Sequence, residues 1–257
     1  MTNGEILSNE PLKAGYFLIR FHAPEVCRTA RAGQFVHVRI AGLQTYILRR
    51  PFSIHSTDGD ALTIVYKVVG RGTAALSSLK AGDTVDAMGP LGRGFTPPEP
   101  GVIPVAVAGG YGAAAMYMLS RRSRGVLLMG ARSAADVILT ERYRDAGYDV
   151  RVATNDGSVG ARGFVTELIS PLLEENPTGR FFFYGCGPHP MLMALAKLLK
   201  ARGLEGELSL DQIMCCGVGA CFGCVVKVND PASPDGWRYA RSCKEGPVFP
   251  LADIYVE

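Results

Sequence analysis

Between Tyr16 and Gly89 apolar and polar residues alternate in short runs broken by turn residues: YFLIRFHA, QFVHVRI, YILRRPFSIHS, ALTIVYKVV and DTVDAMGP. Successive side chains of a strand point to opposite faces, so such runs predict strands with one face buried. Many short strands joined by turns predict a small antiparallel barrel. One helix-like piece, GTAALSSLKAG, interrupts them, and TPPEPG at Thr96–Gly101 reads as a linker.

From Val102 to about Arg202 the texture changes. Continuous apolar runs (VIPVAVAGG, GVLLMGAR, YDVRVATND, RFFFYGCG) alternate with helical stretches such as AAAMYMLSRR and HPMLMALAKLLKAR. That alternation predicts a parallel sheet flanked by helices. From Gly203 the chain is glycine- and cysteine-rich and too short for an apolar core of its own, so a metal is expected to help hold it. The expected architecture is α+β and multidomain. An antiparallel β-barrel covers residues 1–98, an α/β parallel-sheet domain 99–203 and a small cysteine-rich domain 204–257.

Composition narrows the class. A chain of 257 residues with 47% apolar and 20% charged residues can bury a sizeable core. Its net charge of +3 comes without a long basic run, which argues against a nucleic-acid partner. The start, MTNGEILSNE, has no signal-peptide pattern, and no apolar run approaches the ~18 residues of a membrane span. A cytoplasmic protein without a membrane partner is expected.

Of the seven cysteines, Cys215, Cys216, Cys221, Cys224 and Cys243 crowd the last fifth of the chain. In a reducing compartment such a cluster suggests a metal before it suggests disulfides. Cys216-x4-Cys221-x2-Cys224, followed by Cys243 after eighteen intervening residues, has the spacing of a plant-type [2Fe–2S] loop. Gly217, Gly219 and Gly223 suit a backbone that wraps closely around an inorganic core. Four cysteines also suit zinc, although zinc sites favour two short knuckles and only one exists here. Using Cys215 in place of Cys216 breaks the spacing, so Cys215 is expected to be a non-ligand filling space beside the cluster.

Two further stretches carry chemistry. Arg50 begins an RPFS strand, and Gly70-x-Gly72-Thr73 leads into a helix. A helix N-terminus with an arginine beside it is an anion site of the kind a pyrophosphate-bearing cofactor needs. In the second half, VAVAGGYGAAAM is a strand, a glycine turn (Gly109, Gly110, Gly112) and a helix. Alone this could be a structural turn. With TNDGSVGARG after the third strand and YGCGPHPM after the fourth, it predicts a dinucleotide crevice at the strands' C-terminal ends.

Arg50-Pro-Phe-Ser53, Gly72-Thr73, the Gly109–Gly112 turn and Cys186-Gly187-Pro188, in that order, resemble the ferredoxin–NADP reductase superfamily. The final segment, CCGVGACFGC and then RSCKEGPVF, resembles the electron-transfer subunits of NAD-dependent (type B) dihydroorotate dehydrogenases. The likeness covers nearly the whole chain and implies an FAD barrel, a central NAD domain and a C-terminal [2Fe–2S] domain. It implies that Arg50, Pro51, Phe52 and Ser53 line the flavin and its phosphates, with Val65, Tyr66 and Lys67 on a second flavin strand. Gly72 and Thr73 would bind the FAD pyrophosphate. Gly110, Asp156, Cys186, Gly187 and Pro188 would contact NAD(H), and Cys216, Cys221, Cys224 and Cys243 would hold the cluster. Phe52 stands where many members of the superfamily carry Tyr, and the long gap before Cys243 suggests an extended hairpin at NDPASPDGW.

The four histidines show no ligand spacing, and no acid–base constellation for an organic substrate appears, so no catalytic residue is expected in this chain. The partner implied is a catalytic dihydroorotate dehydrogenase subunit, an FMN flavoprotein, in a heterotetramer of two of each. The residues leave open a reductase subunit of another complex, of ferredoxin:NADP oxidoreductase or hydrogenase type, or a zinc-stabilised flavin-binding adaptor. Arg132 and Arg162 are the only obvious candidates for a 2′-phosphate contact, and neither has a second adjacent base, which favours NAD over NADP.

Overall fold

The computed structural model describes residues 2–40 and 48–256. Tyr46 and Ile47, with which the third predicted barrel strand begins, lie outside the described residues. The first half forms β1 (Thr2–Pro11), β2 (Tyr16–His22), β3 (Phe35–Ile40), β4 (Arg50–Asp58), β5 (Ala61–Lys67) and β6 (Thr84–Leu91), with helices α1 (Pro24–Cys27) and α2 (Arg71–Ser78). The strands close into a barrel in the order β1-β2-β5-β4-β3-β6. Leu62, Ile64 and Tyr66 of β5 point into the barrel with Ile19, Phe21, Val36, Val38 and Ile54. Val65, between them, faces out, into a second core shared with the α/β layer. The period of two thus sorts one strand between two cores.

β1 is a strand that the hydrophobic pattern misses. Its segment is mostly polar, and only one large residue, Ile6, is fully buried. It forms because it pairs with both β2 and β6 and closes the barrel, so backbone hydrogen bonding rather than apolar patterning decides it.

The second half contains β7 (Ile103–Gly109), β8 (Val126–Ala131), β9 (Asp149–Thr154), β10 (Ala161–Arg162), β11 (Phe181–Cys186) and β12 (Glu205–Ser209). Helices α3 (Gly112–Ser120), α4 (Thr140–Asp145), α5 (Ile169–Glu175) and α6 (His189–Ala201) connect them. A hairpin of β13 (Val225–Asn229) and β14 (Trp237–Arg241) follows, and then β15 (Val248–Pro250). The main sheet runs β10-β9-β8-β7-β11-β12-β15, parallel apart from β15. In α6, Leu192, Leu195, Ala196 and Leu199 are buried at helical spacing against this sheet.

The cysteine-rich segment, expected from its size to need a metal's help, is also held by the neighbouring α/β domain. Strands β12 and β15 hydrogen-bond into the large sheet, and Val226, Val228, Ala240, Phe249, Leu251 and Ile254 enter the core beneath α5 and α6. The ligand loop between β12 and β13 and the turn that carries Cys243 lie outside these strands.

Barrel and α/β layer are fastened at several points. Gly33 N–H donates to Ala115 O at 2.9 Å, and His55 stacks on Tyr117 at 4.4 Å. The linker is tied down through buried Glu207, whose carboxylate accepts from Thr96 N–H at 2.7 Å and Thr96 Oγ1 at 2.9 Å and pairs with Arg93 at 3.0 Å.

Candidate functional site

The cysteine loop is shaped by left-handed backbone at Gly217 (φ 71°), Gly219 (φ 84°) and Phe222 (φ 57°). These turns aim successive N–H groups inward, a concavity suited to negative charge. Burial opposes charge on the Cys216 thiol, but the backbone N–H groups of Val218, Cys221 and Ala220, together with the Cys221 thiol, pull its pKa down to about 6. Gly219 N–H donates to Cys243 Sγ at 3.1 Å, and Cys243 N–H to Cys224 Sγ at 3.4 Å. Burial raises the Cys243 thiol to about 12, with the neighbouring Cys224 adding to it. A loop that burial and crowding penalise, yet that surrounds its sulfurs with amide donors, fits ligands meant to be thiolates on a metal core.

The thiols lie close to one another: Cys216 and Cys215 both approach Cys221, and Cys243 adjoins Cys224 with Cys216 nearby. Among the described residues no three His, Cys, Asp or Glu side chains converge as they would on a single ion. Zinc sites favour two short cysteine knuckles, whereas the single x4/x2 loop with a distant fourth cysteine suits a [2Fe–2S] core. Cys215 lies outside the amide cradle. Its side chain is exposed and near Cys221, so it does not fill interior space as the spacing argument supposed. The hairpin expected before Cys243 is β13–β14; Lys227 lies over the Trp237 ring at 4.5 Å, and Trp237 packs edge-on against Tyr239.

Arg50 and the start of α2 come together as the anion-site reasoning requires. A Cβ on Gly72 would lie 2.6 Å from Arg50 Nε, so the guanidinium crosses directly over the helix's first turn. The Ala74 N–H is bonded back to Gly70 O, and the earlier N–H groups of the helix have no intrahelical acceptor. The arginine and the amides form a cradle that any larger residue at position 72 would fill. The Thr73 hydroxyl is occupied locally: it accepts from Val69 N–H at 2.9 Å and donates to Gly70 O at 3.0 Å, closing the helix cap. Pro51, Phe52 and Ser53 follow Arg50 along β4, all half-buried, and Phe52 meets Tyr66 edge-on at 5.8 Å. Tyr66 itself points into the barrel, its hydroxyl on Asn9 Oδ1 at 3.0 Å, so only its main chain can face a ligand outside. Lys67 Nζ sits 2.7 Å from Asp136 Oδ1, and the same oxygen accepts from Tyr16 OH at 3.1 Å, so this position links barrel and α/β layer.

In the α/β half, the two glycine turns predicted to line a crevice touch. A Cβ on Gly187 would lie 2.9 Å from Gly109 Cα, and one on Gly112 would lie 2.1 Å from Cys186 O. Gly110 has φ 56° and its N–H bonds Gly130 O at 2.9 Å. Pro188 is exposed at the start of α6. Asp156 is exposed and accepts from Ser158 Oγ at 2.6 Å and Ser158 N–H at 3.0 Å, which hold its carboxyl below the usual range. Cys186 is buried, and burial, with Asp211 adding, raises its thiol well above the ordinary value; it stays protonated.

Three residues at these sites carry no motif in the sequence. Asp211 follows β12, exposed, and its carboxylate accepts from Ser209 Oγ at 3.2 Å. His37 in β3 is buried beneath the cysteine loop, and burial lowers its pKa, so the ring is neutral near pH 7. Asp136 joins Lys67 and Tyr16 to Arg132, whose Nε lies 3.8 Å away. Lys67 foremost holds the Asp136 carboxyl below its ordinary range. Asp136 engages the Arg132 guanidinium, and no second base adjoins it in the sequence to share a 2′-phosphate. NADH is therefore expected to exceed NADPH in kcat/KM by at least about tenfold, roughly 1.4 kcal/mol; steady-state kinetics with both nucleotides checks it, and equal values or a preference for NADPH would contradict it.

A flavin-type anion cradle on a barrel, a dinucleotide crevice on a parallel sheet and a plant-type cysteine loop define a reductase of the ferredoxin–NADP reductase class with a [2Fe–2S] domain attached. The comparisons narrow this class. Residues 211–255 match the family model described as the iron–sulfur cluster binding domain of dihydroorotate dehydrogenase B. The chain is 39% identical over 248 residues to the dihydroorotate dehydrogenase B (NAD(+)) electron transfer subunit of Desulforamulus reducens, covering 94% of this chain and 93% of that one. It is also 39% identical over 243 residues to the corresponding subunit of Fusobacterium nucleatum, covering 90% and 88%. A chain from the structure of an NADH-dependent reduced ferredoxin–NADP oxidoreductase, studied for flavin-based electron bifurcation, superposes with TM-score 0.83 at 28% identity, covering 99% of this chain and 90% of that one. The chain belongs to the family of dihydroorotate dehydrogenase B electron transfer subunits.

Proposed function

We propose that this chain carries electrons from a dihydroorotate-oxidising catalytic subunit to NAD+, through a [2Fe–2S] cluster and FAD, in pyrimidine biosynthesis. Nicotinamide exchanges a hydride, the cluster passes single electrons, and a flavin does both, so FAD belongs between the other two. Dihydroorotate gives up two electrons and two protons as it becomes orotate on the catalytic subunit. NAD+ takes both electrons and one proton, and one proton is released. The chain is thus an oxidoreductase subunit whose organic substrate chemistry lies elsewhere, in keeping with a crevice whose buried cysteine is held protonated.

The observation that carries this reading is that the cysteine loop rests on β3, the strand paired with the Arg50–Ser53 strand. Met214, Cys224 and Cys243 pack with Phe35 of β3, and β3 pairs residue by residue with β4, placing Phe35 opposite Ser53 and Val36 opposite Phe52. One pair of strands supports both redox sites, which is what a relay needs. In this reading Arg50 and the first amides of α2, at Gly72 and Thr73, hold the FAD pyrophosphate. Pro51, Phe52, Ser53 and the Val65–Lys67 edge border the ring system. The turns at Gly110 and Cys186–Pro188, with Asp156 at the outer loop, hold NAD. Cys216, Cys221, Cys224 and Cys243 hold the cluster, and residues 1–98, 99–203 and 204–257 divide the three tasks.

The partner is the catalytic subunit, taken here to be an FMN protein in a two-plus-two assembly. Beside the cluster loop Ile213 is 89% and Phe222 61% exposed, an apolar rim suited to that contact. Among the described residues no helix is long and apolar enough to cross a membrane, and a cytoplasmic complex is the reading adopted. Alone, the chain is expected to pass electrons from NADH to ferricyanide but not to oxidise dihydroorotate; adding the catalytic subunit restores dihydroorotate-dependent NAD+ reduction, and Ile213→Asp weakens that restoration. Dihydroorotate oxidation by the isolated chain would refute the relay.

A further inference from the structure

His37 is 1% exposed, and neither Nδ1 nor Nε2 makes a hydrogen bond of good geometry, although the backbone of Cys216 and of Arg49 stands close enough to favour its protonated form. A neutral imidazole carries one donor and one acceptor, and native proteins rarely bury such groups unpaired without a functional reason. The ring's surroundings point to the reason. Along the β3–β4 ladder His37 stands opposite Pro51, inside the Arg50–Ser53 stretch. On its other side is the ligand loop: a Cβ on Gly217 would come within 2.5 Å of His37 Nδ1. The residue after Cys216 therefore lies flush on the imidazole, in a left-handed conformation with φ 71°. Phe35, two residues earlier on the same face, meets the His37 ring edge-on at 6.5 Å and packs with Met214, Cys224 and Cys243. The buried, unsatisfied ring is thus wedged between the loop of the one-electron site and the strand of the flavin site.

We propose that His37 is a positioning residue for the cluster: its ring N–H donates to the sulfur-rich group held by the Cys216 loop, raises that group's reduction potential, and fixes the loop against the flavin strand. The inference rests on the reading that Cys216, Cys221, Cys224 and Cys243 hold a [2Fe–2S] cluster. Donors aimed at cluster sulfurs stabilise the more negative, reduced state, so they shift potential upward. Neither the cysteine spacing nor the flavin motif assigns this residue a role.

The test uses the complex with its catalytic subunit, in wild type, His37→Phe and His37→Gln. Phe fills the same space without a donor, and Gln restores an N–H. Iron, acid-labile sulfide and bound flavin are measured first, and the cluster potential then follows from an EPR-monitored redox titration. His37→Phe is expected to keep iron and flavin and to lower the equilibrium for cluster reduction about tenfold, about 59 mV for one electron. His37→Gln is expected to recover most of that shift. Loss of iron in Phe with retention in Gln also supports the donor role. Unchanged potentials, equal shifts in both variants, loss of iron in both, or a shift in the flavin potential alone overturn the inference. Absence of iron and sulfide from the wild type would instead refute the cluster reading itself, so the two failures are distinguishable.

Discussion

Cys216→Ala is expected to take the chain from about two iron atoms, the content of one [2Fe–2S] cluster, to nearly none. Cys221→Ala, Cys224→Ala and Cys243→Ala should do the same, while Cys215→Ala keeps its iron. The reason is the amide cradle: the N–H groups of Val218, Ala220 and Cys221 converge on Cys216, whereas no backbone N–H among the described residues is directed at the Cys215 thiol. Because metal binding is part of a site's folding energy, the loop between β12 and β13 should become protease-sensitive in the iron-free variants. The damage should stop there, since β12 and β15 stay hydrogen-bonded into the large sheet. NADH oxidation with ferricyanide should survive, and dihydroorotate-dependent NAD+ reduction should vanish. Iron and sulfide assays with limited proteolysis read all of this. Iron retained in Cys216→Ala and lost in Cys215→Ala would move the ligand register by one residue.

Arg50→Ala should weaken FAD binding by about 10- to 150-fold, the range for losing a hydrogen bond of roughly 1.5–3 kcal/mol to a charged group. Arg50→Lys should fall between Ala and wild type, because a lysine supplies the charge but not the planar fork. Gly72→Ala offers an independent approach to the same site. Its φ is not left-handed and Ala is the better helix former, so stability should hold or rise. Its Cβ would nevertheless lie 2.6 Å from Arg50 Nε, so the guanidinium has to swing aside. Flavin affinity should fall with no loss in Tm of the flavin-free protein. Ultrafiltration or flavin fluorescence gives the Kd; full affinity in both Arg50→Ala and Gly72→Ala would remove this cradle from the FAD site. The released flavin should chromatograph as FAD, since a single phosphate has no need of both an arginine and a helix start.

The sequence by itself determined what short-range spacing encodes. The x4 and x2 gaps among Cys216, Cys221 and Cys224 select one loop geometry, because ligands to a compact core must be close along the chain. The period-two runs and the unbroken apolar runs assigned the two large architectures, since each period follows from where a strand's faces are buried. The strand β1 escaped because its pattern is polar and its formation depends on two partners elsewhere in the chain. The tertiary structure alone decided the attachment of β12 and β15 to the α/β sheet, the seat of Asp136 on Lys67 and Tyr16, and the contact of His37 with Gly217. These residues lie far apart in sequence and carry no local signature. Their meeting follows from how the barrel, the sheet and the loop close on one another, and a one-dimensional pattern records periodicity and spacing but not which distant faces are brought into contact.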